Sequence, residues 1–352
     1  MSSFLNNFLK LDENIRKSSD IALIWEGNYW DDQNVHDCCD IDWKTLNFMI
    51  EKVAIVFKNY FLEEKQNIEE NQERKILIYL PKIIQLPICI LAAIRVGITP
   101  VILDPLSSNQ NVLQKFPLIV TCDYVWQAQK LIEIKKKVED FGQILVIRHV
   151  APNYGIPAPR KQIIAKRPTY FLTCENPGNP EKIRIKFDLR NGKDDKWSKK
   201  MEEVSDSEVE TGLKLSGNFS NSEKNTAILI SDGEILEKIE ISELLALLEK
   251  KKEEIMNSVE NIFVLDFPKN LDSFANFLLP WYIGKTMTLF EGCVNYPDSS
   301  RISQIIQKHS VNCIISTQEL QILHPNYLKF FDFSNLKQLI GDNEILKDAY
   351  KL

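Results

Sequence analysis

The sequence predicts an α/β protein with parallel-rich sheets flanked by helices, and one stretch carries most of that prediction. Residues 76–80 form a short apolar run suited to a buried strand, and Pro81 stops it. Leu86, Ile90, Leu91, Ala93 and Ile94 then fall at helical spacing, with Pro87 tolerable in a first turn and Gly97 as the stop. A second apolar run at 99–103 completes a strand, helix, strand unit. Such a crossover is right-handed and makes its strands parallel, so helices must cover both faces of the sheet.

Composition sets the bounds. A chain of 352 residues, 44% hydrophobic and 26% charged, can bury a large core in one large or two ordinary domains. Its net charge of −6 argues against nucleic acid as a partner, because phosphate backbones require a dense basic face. The seven cysteines, at 38, 39, 89, 122, 174, 293 and 313, are odd in number and include no CxxC pair. Neither a zinc site nor a disulfide framework is indicated, and a reducing or mitochondrial compartment is expected. Charges interrupt every apolar run before it reaches membrane-spanning length, so the chain has no expected transmembrane segment.

In chain order, Phe4, Leu5, Phe8, Leu9 and Ile15 share one helical face, read as a docked N-terminal helix; Asp12 and Glu13 argue against an import signal. Residues 21–25 predict a strand, residues up to Asp42 an acidic loop, and 43–61 a helix through Leu46, Met49, Ile50, Val53 and Phe57. Further strands are expected within 118–130 and at 144–149. In the second half, strands are expected at 226–230, in NIFVLDF, TMTLF and NCIIS, and helices at 236–255 and 299–309. Two consecutive α/β subdomains follow from this, 1–225 and 226–352, the first carrying a polar insertion at about 151–225. That insertion is rich in proline, and its run DLRNGKDDKWSKKMEEVSDSEVETG has few apolar anchors, so it is expected to be a solvated loop.

The order ALIWEG, helix, ILIYLPKIIQLPICILAAIRVGITPVIL, LIVTCDYVWQAQK, ILVIRH resembles the N-terminal domain of short-chain acyl-CoA synthetases, the acetyl-CoA synthetase branch of the adenylate-forming enzymes. The likeness returns at 284–317, GKTMTLFEGCVNYPDSSRISQIIQKHSVNCIIST, and covers most of the chain outside about 151–225. The resemblance implies that family's N-terminal-domain fold. It also locates where the chemistry should be. The family cradles ATP phosphates in a Ser/Thr/Gly-rich loop ending in Lys after a strand; the matching strand TAILI is followed here by Ser231, Asp232, Gly233 and Glu234. Two acids stand where phosphates would sit, and the segment reads as a tight turn entering the next helix. The family's coenzyme A-binding basic position falls at Gln127, and its glycine-aromatic-serine turn becomes Asp104, Pro105, Leu106 and Ser107. The sequence closes at ILKDAYKL, before the family's Tyr/Thr/Glu motif, its ribose-binding Asp and its C-terminal domain with the catalytic Lys. The resemblance therefore implies a chain without the adenylating parts.

No other chemistry is legible. His36 beside Asp37, Cys38, Cys39 and Asp40 lacks metal-ligand spacing. His149 and His324 are isolated, and His309 reads as a helix C-terminal residue favoured by the dipole. Trp25, Trp126 and Trp281 read as core, and Lys135, Lys136 and Lys137 as a solvated helix face. No catalytic, cofactor-binding or metal-binding set is expected, and no cofactor. The expectation is a non-catalytic acyl-CoA synthetase-like subunit whose partners are the other proteins of a larger assembly. A mitochondrial membrane complex of respiratory type, peripherally joined, is one expected setting, and the cytoplasm the other. A nucleotide- or acyl-CoA-binding regulator is the alternative, and an ATP-dependent ligase a third.

Overall fold

The computed structural model describes residues 17–28, 38–63, 74–108, 111–128, 130–150, 188–215, 227–296, 299–317 and 330–341. The expected N-terminal helix, the proline-rich part of the insertion, Cys174, His324 and the closing ILKDAYKL segment lie outside them.

The fold begins with β1 (Ile21–Glu26), the edge strand β2 (Cys38–Asp42) and the long helix α1 (Trp43–Glu63). The predicted crossover follows as β3 (Lys75–Tyr79), α2 (Gln85–Arg95) and β4 (Thr99–Leu103). Strands β3 and β4 pair in parallel, with Ile76 opposite Pro100 and Ile78 opposite Ile102. Helix α2 is buried from Leu86 to Arg95, as a helix apolar all round must be, and Gly97 ends it at φ 71°. Next come β5 (Phe116–Cys122), the small hairpin β6 (Tyr124–Gln127) and β7 (Lys130–Glu133), and β8 (Gly142–Ile147).

The charged run expected to be a solvated loop is instead ordered from residue 188. It forms β9 (Asp194–Lys196), α3 (Trp197–Glu202) and α4 (Asp206–Leu215), with β9 parallel to β8. Val204 and Val209 are buried, and Trp197, Met201 and Leu213 pack on the main core. The buried Asp194 carboxylate receives Arg190 and Lys135, each at 2.7 Å. Five apolar contacts and a doubly bridged carboxylate offset the ordering entropy that the composition alone left uncovered.

The remaining elements are β10 (Ala227–Ser231), β11 (Leu236–Glu240), α5 (Ile241–Lys252), β12 (Asn261–Val264), α6 (Leu271–Tyr282), β13 (Thr286–Phe290), α7 (Arg301–Lys308), β14 (Cys313–Ile315) and β15 (Gln338–Ile340). One sheet has the order β11-β10-β4-β3-β5-β8-β9 and the other β15-β14-β12-β13-β1-β2. All neighbours are parallel except the edge pairs β10 with β11 and β1 with β2.

This topology does not follow the expected division at 225/226. Strands β10 and β11, from the second half of the chain, extend the sheet built on β3, and β1 and β2, from the first, extend the sheet built on β13. One apolar cluster runs through both, joining Ile76 and Leu77 to Ile262, Val264 and Met287. Trp43 on α1 meets Trp281 on α6 edge to face at 6.3 Å, and the Trp281 indole donates to the Ala22 carbonyl at 2.8 Å. The expected helix at 236–255 also splits. Leu236–Glu240 runs extended beside β10, with Ile239 buried and Glu237, Lys238 and Glu240 exposed, and the helix starts only at Ile241.

Candidate functional site at the carboxyl ends of the strands

Parallel α/β sheets present their loops, and therefore their chemistry, at the carboxyl ends of the strands. The turn at Ser231–Glu234 lies there, at the end of β10. It is a hairpin turn into β11 rather than the expected entry to a helix, since Ser231 pairs with Leu236 across it. Gly233 adopts φ 106°, which a side chain would resist. Three amides of the turn are already bonded within it: Gly233 N donates to Ser231 Oγ at 2.9 Å, and Glu234 N and Ile235 N donate to Asp232 Oδ1 at 2.9 and 3.3 Å. Those two amides hold the Asp232 carboxyl below its ordinary pKa. The turn is tied outward as well, by Ser107 Oγ donating to the Asp232 carbonyl at 3.0 Å and Asn111 N to the Gly233 carbonyl at 3.1 Å.

Beside it, Asp104 follows β4 and Lys82 follows β3. The Lys82 ammonium donates to the Leu265 carbonyl just past β12, which bridges the two sheets. Burial lowers the Lys82 pKa to about 8, although Asp266 and Asp104 pull it the other way. Burial likewise raises the Asp104 carboxyl, against the Leu106 amide and the nearby Lys269, 4.0 Å away. Asp266 is buried; one oxygen accepts from Thr317 N at 2.6 Å, and the other has no hydrogen-bond partner among the described residues. A second bridge between the sheets joins His149, after β8, to Glu291, after β13, at 2.7 Å. Asp123 fixes the segment bearing this histidine by accepting from the amides of Tyr124, His149 and Val150. Trp25 meets the His149 ring edge to face at 6.0 Å.

The two segments that carry the family resemblance converge on a buried ionic cluster. Glu26, at the end of β1, accepts from Arg301 at 2.8 Å, Lys308 at 2.9 Å and His309 at 2.9 Å. Arg301 also donates to the Gly27 carbonyl and lies 5.2 Å from the centre of the Phe290 ring. Both Glu26 and Arg301 are fully buried. Burial raises the Glu26 carboxyl, but His309, Arg301 and Lys308 outweigh it and hold it below the ordinary range. His309 does close helix α7, as expected; its bond to Glu26 is what the sequence did not disclose. This cluster joins charges far apart in the chain inside the core. It is a scaffold.

Trp126 and Trp281 are buried, and Trp25 is half-buried. Lys135–Lys137 is a single 3-10 turn with Lys136 and Lys137 exposed, as a solvated face requires, but two of its lysines are also tethers: Lys135 to Asp194, and Lys137 to the Pro105 carbonyl at 2.7 Å. Gln127 closes β6. Of the DCCD segment, Cys38, Cys39 and Asp40 lie in β2, whereas His36 and Asp37 are outside the described residues. Among the described residues no group of three or more His, Cys, Asp or Glu side chains could hold a metal ion, and no helix is long and apolar enough to cross a membrane.

Fold and segment likeness together define an α/β protein distantly related to acetyl-coenzyme A synthetases. It is 27% identical over 158 residues to the acetyl-coenzyme A synthetase of Drosophila melanogaster, a match covering 40% of this chain and 22% of that enzyme. Two nearer relatives place it more closely. It is 50% identical over 145 residues to uncharacterized protein ZK112.6 of Caenorhabditis elegans, covering 39% of this chain and 95% of the relative. It is 46% identical over 119 residues to uncharacterized protein ZK112.5 of the same worm, covering 33% of this chain and 74% of the relative. The chain belongs to the family of these two worm proteins. No family model matches it.

Proposed function

We propose that the chain is a non-adenylating acyl-CoA synthetase-like protein that serves as an accessory subunit of a larger protein assembly. The observation that carries the first part is the bonding of the turn at 231–235. A phosphate cradle works by offering unspent backbone N–H groups to an anion. Here the amides of Gly233, Glu234 and Ile235 are spent on Ser231 and Asp232. A triphosphate would have to displace those bonds and then lie against the carboxylates of Asp232 and Glu234, so both terms oppose it.

The second part rests on what the turn presents instead. The hairpin stands at the strand ends where the related enzymes do their chemistry, its amides closed to a phosphate and its tip, with Ile235 72% exposed, left for contact with another protein. The assembly is proposed to be mitochondrial, by analogy with the setting of short-chain acyl-CoA synthetases. Native-size fractionation of a cell extract with mass spectrometry of co-migrating proteins tests this part. Reproducible partners in a high-mass peak are expected; elution at the chain's own mass would overturn the subunit reading, and recovery only from cytosolic fractions the mitochondrial one.

A further inference from the structure

A cavity of about 480 Å³ opens between α1, the end of α2 and α4, remote from the strand ends. Its size falls within the range of small-molecule sites. It exists because α4, from the segment outside the family resemblance, is laid across helices of the family-like core. Its floor is the buried Glu51–Arg95 ion pair, and Arg95 reaches on to the Gly212 carbonyl at 3.4 Å. Gly212 is what lets α4 come this close, since a Cβ there would stand 2.8 Å from Glu51 Cδ. Because Arg95 neutralises Glu51, the floor offers no net charge.

The walls are Ala54 and Ile55 of α1 and Val96 after α2. On the rim, Lys58 and Asn59 are adjacent and exposed, and neither has an ion-pair or hydrogen-bond partner among the described residues. Opposite, Glu208 is bonded by the amide and hydroxyl of Ser205, at 2.8 and 2.6 Å, which favour its ionised form, so an anionic head must sit on the Lys58 side of the mouth, away from this carboxylate. The uncommitted groups are thus one ammonium and one amide above an apolar wall.

We propose that this cavity binds a small amphipathic organic monoanion, its apolar body against Ala54, Ile55 and Val96 and its charged head at Lys58 and Asn59. The head is recognised by charge rather than by reaction, so a sulfonate serves as well as a carboxylate. The site is independent of the non-adenylating reading, and neither stands or falls with the other.

Isothermal titration of the full chain with 1-hexanesulfonate tests it, with hexanol as the uncharged probe of the same body. Saturable one-to-one binding is expected, weaker by about fivefold or more both for hexanol, which lacks the head charge, and for Lys58→Glu, which reverses the rim charge. Thr211→Trp, which places an indole in the mouth from an exposed helical position, is expected to abolish it. Circular dichroism and urea midpoints establish that both variants fold. No saturable heat with the wild type overturns the site, as does binding that survives both substitutions; loss in Thr211→Trp with unchanged affinity in Lys58→Glu overturns the anion assignment.

Discussion

Replacing Arg301 with methionine keeps most of the side chain's length and removes its charge, so it probes the buried cluster around Glu26 directly. Glu26 and Arg301 are both fully inaccessible, and the guanidinium supplies bonds to the Glu26 carboxylate, to the Gly27 carbonyl at 3.0 Å and to Gln304 at 2.7 Å. Removing one partner of a buried pair costs about 3–5 kcal/mol, because the other is left charged and dry. Lys308 and His309 still reach Glu26, which places Arg301→Met near the lower end, about 3 kcal/mol. The assay is equilibrium urea unfolding followed by tryptophan fluorescence and circular dichroism, checked for coincidence so that a single free energy is meaningful. The double variant Glu26→Gln with Arg301→Met is expected to lose less than the sum of its parts, since the buried charge goes with its partner. A loss below about 1 kcal/mol for Arg301→Met, or strict additivity in the double variant, would refute the reasoning.

Gly212→Ala reverses a common expectation: in a solvated helix it would stabilise by about 0.5–1 kcal/mol, but here the new Cβ meets the Glu51 carboxylate held by Arg95. A loss of about 1–3 kcal/mol is expected in the same unfolding assay, and any gain would show the contact to be slack. The Lys82 ammonium gives a pH signature. Its folded pKa of about 8 lies below the ordinary 10.5, so between those values the unfolded chain holds more protons and this group makes stability rise with pH. Tyrosines and cysteines titrate in the same window with the opposite sign, so the measurement is the difference between wild type and Lys82→Met from pH 7 to 10.5: the variant should lack the rise, and parallel curves would count against the burial of this amine.

The crossover from β3 to β4 was legible because its apolar residues are dense and proline and glycine punctuate it; the helix began one residue before the expected position. The hairpin into β11 was not, because LEKIEISELLALLEK has helical spacing throughout, and only pairing to β10 selects the extended form for its first five residues. Sheet membership was equally hidden. Nothing local to Ile21–Glu26 says that it pairs with the distant Thr286–Phe290 as well as with the next strand in sequence. The insertion carried a signal that could have been read: Trp197, Met201 and Val204 recur at helical spacing, as do Val209 and Leu213, beneath the charges that dominate the composition. In the candidate site, the two acids of the turn were visible in the sequence. Their consequence was not, since the bonding of three amides to Ser231 and Asp232 depends on the turn's geometry. The Glu26 cluster joins residues 275 or more positions apart, and no spacing rule reaches that far.

Acetate- or propionate-dependent ATP–pyrophosphate exchange tests the central claim most directly, because it reports acyl-adenylate formation without requiring any later step. With the turn's amides committed to Ser231 and Asp232, the purified chain with magnesium and either acid should give exchange indistinguishable from a no-protein blank. Exchange above that blank that depends on the acid would contradict it.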